Sequence, residues 1–138
     1  MAANVPTPAN ANATGAAVEL LRFISSLPER PDARVLSGQF IRWCHNASLE
    51  EIEGVRRATG HWLAIASGDY YTNDQQRGHT IDWTRTNRVL AEYAGRGGIV
   101  SLSIHANNPA TGGPAWDASE GLDWVDDPAN EAHANWTR

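Results

Sequence analysis

The sequence predicts an α/β fold, parallel strands alternating with helices, and three observations carry that reading. Three short apolar runs of β-type residues begin near residues 34, 62 and 98, with segments of helical periodicity between them. Each run turns polar at its end, at Gln39, Asp69 and His105. Strand–helix alternation with short links implies parallel strands joined by right-handed crossovers. Units of this size suit a (β/α)8 TIM barrel, which takes ~250 residues when complete. The expected fold is therefore a partial (β/α)8 TIM barrel, its first three βα units preceded by an N-terminal helix. Three strands cannot close a barrel, and alone they leave two unpaired edges.

The elements follow in order. Residues 1–13 are Ala, Asn and Pro without periodicity and read as a flexible lead-in, with one domain over 14–138. Ala17, Leu20, Leu21, Ile24 and Leu27 recur on one helical stripe, which Pro28 and Pro31 close. "RVLSGQF" (34–40) has the character of a buried strand. In "NASLEEIEGVRRATG", Ser48 and Glu51 form a capping-box pattern, Leu49, Ile52 and Val55 the apolar stripe, and Gly60 a left-handed C-terminal cap. "WLAIASGDY" (62–70) is a second strand, followed by a polar loop. Thr80 or Asp82 then caps a helix carrying Trp83, Val89, Leu90 and Tyr93, which ends at "GRGG" (95–98). "IVSLSIHA" (99–106) is the third strand; a long loop with Trp116 and Trp124 follows, and "ANEAHANWTR" begins another helix.

Composition excludes several functions. A net charge of −5 with eleven scattered arginines disfavours nucleic acid, whose phosphates need a massed basic surface. The absence of lysine excludes Schiff-base chemistry. Cys44 is the sole cysteine, so neither an internal disulfide nor a thiolate metal site is expected. His45, His61, His79 and His133 lack metal-ligand spacing, and "LSGQF" is not a G-x-G-x-x-G loop, so no metal or cofactor is expected. No apolar run approaches the ~18 residues of a membrane span. The opening "MAANVPTPANANATG" is not a secretory signal peptide. Six tryptophans against two phenylalanines supply rings that fill cores or stack on the flat faces of sugars.

In parallel α/β folds, ligands bind beyond the carboxyl ends of the strands. That rule selects Gln39 and Phe40, Asp69 to Tyr71, and His105 to Pro109. On the third strand, parity puts Val100, Leu102 and Ile104 on one face, suited to a helix layer. Ser101, Ser103 and His105 share the other, suited to a barrel interior. Asp69 shares its side with Leu63, Ile65 and Ser67, which leaves its direction open. His105 suits hydrogen bonding to a substrate, proton transfer or orientation of another group; its structural alternative is a strand-end histidine satisfied by backbone. Asp69 suits hydroxyl binding, or else a turn. Tyr70 and Tyr71 serve a site or layer packing, and Asn107 and Asn108 a site or a turn before and around Pro109.

"VLSGQF", "TGHWLAIASGDY" and "RGGIVSLSIHANNP", taken in that order, resemble the opening third of glycoside hydrolase family 26, the β-mannanase family. That family has a first strand ending in Ser-Gly-Gln and a second that follows Thr-Gly and ends in an Asp-Tyr-type pair. Its third follows Gly-Gly and ends in Trp-His-x-x-Asn-Pro. The resemblance covers roughly residues 14–138, the N-terminal part of the family's catalytic barrel. It implies endo-hydrolysis of β-1,4-mannosidic linkages with retention, by an acid/base and a nucleophile glutamate. It places His105 in the cleft near the acid/base and implies a substrate-binding set of His105, Asp69, Tyr70, Gln39 and Asn108. Asn108 and Pro109 match the motif's last two residues, whereas Ile104 stands where the family has tryptophan.

The resemblance puts both catalytic glutamates, at the ends of the fourth and seventh strands, past Arg138. Retention needs two carboxyls ~5–5.5 Å apart; Asp69 has no second carboxylate at a comparable position, and Asp117 and Glu120 lie in a loop. The expectation is an inactive chain whose partners are a mannan-type β-linked polysaccharide and a missing C-terminal barrel half, with neither nucleic acid nor membrane. The resemblance also implies a secreted, extracellular protein. Two alternatives remain: a non-catalytic carbohydrate-binding half-barrel that dimerises over its open edges, and a fragment without an independent role.

Overall fold

The computed structural model describes residues 6–32, 35–71 and 83–137, without the side chains of Cys44 and Tyr71. Thr80 and Asp82, as candidate caps, and His79 lie outside the described residues, as do residues 1–5 of the expected lead-in. The chain divides into two compact units, Met1–Leu36 and Ser37–Arg138.

In the first unit, α1 (Gly15–Ser26) begins where the Thr14 hydroxyl accepts from the Ala17 amide at 3.3 Å, and it tightens into a 3-10 turn over Leu27–Glu29. Pro28 ends the α-helix as expected, since it has no N–H to give the ladder. None of α1's residues is buried, and Leu20, Phe23 and Ile24 stay substantially exposed.

The second unit is built on a parallel sheet of β1 (Gly38–Phe40), β2 (Ile65–Tyr71) and β3 (Ile99–His105), in that order. β1 is shorter than "RVLSGQF". Its partner β2 begins at Ile65, opposite Gly38, and the Ser37 carbonyl takes the amides of Ala64 and Ile65. Farther upstream, Val35 is 92% exposed. Gly38 is required, because a Cβ there would stand 2.9 Å from the Cβ of Ile65.

α2 (Glu50–Thr59) ends as expected at Gly60, with φ 75° and its amide on the Arg56 carbonyl at 2.8 Å. Its start differs. Leu49 is the cap residue, and the Ser48 hydroxyl lies 3.4 Å from the Glu50 amide. The reciprocal half of a capping box cannot form, because the Ser48 amide already donates to the Ile41 carbonyl at 2.9 Å and Glu51 turns to Arg42.

α3 (Trp83–Gly95) presents Thr86, Val89, Leu90 and Tyr93 inward. They join Ile41, Ala47, Leu49, Ile52 and Ala66 in the core, with Leu63 and Val100 packed against it. Each fully buried Ile or Leu stabilises the fold by roughly 1.5–3 kcal/mol. Gly68 lets α3 approach: a Cβ there would lie 2.9 Å from Leu90 Cδ1 and 3.2 Å from Thr86 Cγ2. The apolar face of β3 is only partly covered. Val100 packs on the core, but Leu102 is 48% and Ile104 62% exposed. A long loop then leads to α4 (Glu131–Trp136), capped by Asn130. Among the described residues, no helix is long and apolar enough to cross a membrane.

Candidate functional site

Register decides which strand-end side chains meet. Residues paired across parallel strands point to the same face, and β2 pairs with β3 so that Asp69 stands opposite Ser103 and Tyr71 opposite His105. Asp69, Ser103 and His105 thus share one side of the sheet. The carboxylate of Asp69, 1% exposed, accepts from the Ser103 hydroxyl through Oδ2. The same oxygen lies 2.7 Å from His105 Nδ1. A carboxylate offers only acceptors, so the ring proton is assigned to Nδ1. The His105 side chain is about half exposed. A buried acid thus fixes the orientation of a half-exposed imidazole.

An aromatic wall adjoins this pair. Beyond β1 the chain passes through buried Ile41 and then Arg42, whose φ is 68°, to Trp43. The Trp43 ring forms T-shaped pairs with Phe40, at 4.9 Å, and with the His105 imidazole, at 6.1 Å, and it is 44% exposed.

The remaining expected site residues lie elsewhere. Gln39 pairs with Ala66, on the sheet face opposite Asp69, and its amide donates to the Phe40 carbonyl at 3.2 Å. Phe40, one residue on and paired with Ser67, takes the face that Asp69 shares. Tyr70 likewise alternates away from Asp69. Its hydroxyl donates to Asn87 Oδ1 at 2.5 Å and its ring lies 5.2 Å from Trp83, both on α3, so it joins the layers. Asn108 builds a turn: Oδ1 accepts from the amides of Ala110 (2.8 Å) and Thr111 (3.4 Å), and Nδ2 donates to the Asp117 carbonyl at 2.8 Å. Hydrogen bonds from Thr111 and Ser119 hold the Asp117 carboxyl below its ordinary range. Sequence reading brings Asp69 and His105 to one place and misses Trp43. The one signal for Trp43 is an aromatic residue just past the strand-end motif, in "GQFIRW". Among the described residues, no cluster of three His, Cys, Asp or Glu could hold a metal ion.

Comparison with known proteins agrees with this architecture. The model of glycosyl hydrolase family 26 matches residues 9–133. A mannan endo-1,4-beta-mannosidase of Bacillus subtilis strain 168 is 33% identical over 111 residues, which are 78% of this chain and 31% of that protein. The mannan endo-1,4-beta-mannosidase A and B of Caldalkalibacillus mannanilyticus is 29% identical over 109 residues, 78% of this chain and 21% of that one. The solved structure of Bacillus subtilis mannanase man26 superposes with a TM-score of 0.75 at 29% identity, over 96% of this chain and 42% of that one. The chain thus spans about a third or less of the length of these curated relatives. Its three parallel strands and their helices are a partial (β/α)8 barrel. With the family match running through all three strands, this chain belongs to glycosyl hydrolase family 26.

Proposed function

We propose that this chain supplies the first three βα units of a β-mannanase barrel, an endo-acting, retaining hydrolase of β-1,4-mannosidic linkages, and that its strand tips line the sugar cleft. The observation that carries this reading is the Asp69–His105 pair at the carboxyl tips of adjacent parallel strands, in a chain of this family. The half-exposed His105 ring would meet a sugar hydroxyl. Asp69, buried and spanned by Ser103 and His105, orients and does not attack. Acid/base and nucleophile belong to glutamates on later strands, and export of the whole protein goes with a polymeric substrate. Gln39, Tyr70 and Asn108 act through packing and turn geometry.

A second reading, sugar binding without hydrolysis, is favoured by the exposure of Trp43, Trp116 and Trp136. Calorimetry with mannopentaose, beside a reducing-sugar assay on mannan, tests both. The expected result is measurable affinity, lost in His105→Ala, with no release of sugar by this chain. Equal affinity of wild type and His105→Ala would overturn the placement of the cleft. Continuation of the reading frame into a strand ending in glutamate favours the hydrolase; its absence favours the binding module.

A further inference from the structure

Arg42 leaves β1 through a conformation that L side chains rarely adopt; among the described residues it is the one non-glycine residue with positive φ, at 68°. Nothing in an arginine side chain favours that region. Two carboxylates of the first turn of α2 hold it: Arg42 Nε donates to Glu51, and an Nη stands 3.2 Å from Glu50. The flanking backbone is pinned as well, with the Ile41 amide on the Ser67 carbonyl and the Ser48 amide on the Ile41 carbonyl, each at 2.9 Å. The reversal at Arg42 is what returns the chain so that Trp43 packs on Phe40 and against His105.

We propose that Trp43 is a stacking wall for a pyranose ring of a β-linked oligosaccharide, and that Arg42, clamped by Glu50 and Glu51, is the positioning residue that sets this ring beside His105. The proposal rests on the carbohydrate reading of the site. An indole offers an apolar face to the C–H face of a sugar, and the adjacent imidazole offers a polar anchor to its hydroxyls; pairing the two fixes both place and orientation. The clamp comes from a rigid helix, so the wall is fixed before a ligand arrives and little ordering is lost on binding.

The test uses the chain with Arg42→Ala, Arg42→Gly, Trp43→Ala and the double variant Glu50→Gln/Glu51→Gln. Two readouts are taken: the NMR shifts of the His105 ring protons, which feel the Trp43 ring current, and mannopentaose affinity. We expect Arg42→Ala and the double variant to move the His105 shifts toward those of Trp43→Ala and to weaken binding about tenfold, with Arg42→Gly intermediate because glycine accepts the positive φ without the clamp. His105 shifts that stay at their wild-type values in Arg42→Ala would overturn the role of Arg42, and the double variant, which keeps the arginine, decides if that protein does not fold. Unchanged affinity in Trp43→Ala would overturn the stacking role. A wild type without affinity for mannopentaose would sink the carbohydrate reading, while the ring shifts still judge the clamp.

Discussion

The two ends of β2 are held by different chemistry. At the amino end, the buried ring of Tyr93 covers Gly98, and its hydroxyl donates to the Leu63 carbonyl. Beside it the guanidiniums of Arg56 and Arg96 lie over Trp62 at 4.4 and 5.6 Å, with Arg96 also paired to Glu53 and Glu92. Near the carboxyl end the strand carries a buried carboxylate, Asp69, that meets a hydroxyl and a half-exposed imidazole. The first arrangement encloses apolar surface and satisfies the polar atoms it buries. The second uses buried space to orient a group that still reaches solvent. In barrels generally, the amino face serves stability and the carboxyl face serves the ligand.

Substitutions at each end can break or sharpen the contrast. The largest effect on stability belongs to Gly98→Ala, whose Cβ would fall 2.1 Å from Tyr93 Cε1. Urea unfolding should show a loss of ~1–3 kcal/mol, the usual cost of overpacking, while the His105 ring shifts stay in place. A variant that kept its stability but disturbed His105 would dissolve the distinction between the ends. Asp69→Asn comes next and acts in the opposite sense. An amide brings a donor to where His105 now donates, so the imidazole should move its proton to Nε2, visible in the ring nitrogen shifts. Oligosaccharide affinity should fall about tenfold, or ~1.4 kcal/mol.

Tyr93→Phe should cost about 1 kcal/mol of stability, the worth of one hydrogen bond, with no effect on binding. Burial raises the Tyr93 phenol above its ordinary pKa, so the hydroxyl keeps its proton as a donor to Leu63. The smallest effect is a local pH response in the loop after β3. The Asp117 carboxyl is lowered in the folded chain, chiefly by the Thr111 hydroxyl. Its contribution is therefore present above the ordinary carboxylate value of ~3.9 and disappears as pH falls through the lower folded value. Amide shifts of Ser119 should report that transition, and Asp117→Asn should flatten it.

Much of the fold was legible in local spacing. The stripes of α1, α2 and α3, the left-handed cap at Gly60 and the apolar runs of β2 and β3 depend on periods of 3.6 and 2 that a short window displays. The site was half legible. Alternation placed Ser103 and His105 on one face, and the rule of carboxyl ends picked out Asp69. Gln39 and Tyr70 lie on the face opposite Asp69; proximity to a strand end does not reveal a side chain's face, and a shift of one residue turns it to the other side. Asn108 satisfied its amide in the turn it builds, a local competition that its residue type allows but does not dictate.

By itself, then, the sequence determined the elements, their order and the family motifs at the strand tips, since each depends on residues close together in the chain. Only the tertiary structure decided that Asp69 faces His105, that Phe40 and not Gln39 shares their side, and that Glu51 abandons a capping box for Arg42. Those outcomes turn on inter-strand register and on partners far along the chain, and no local period encodes either.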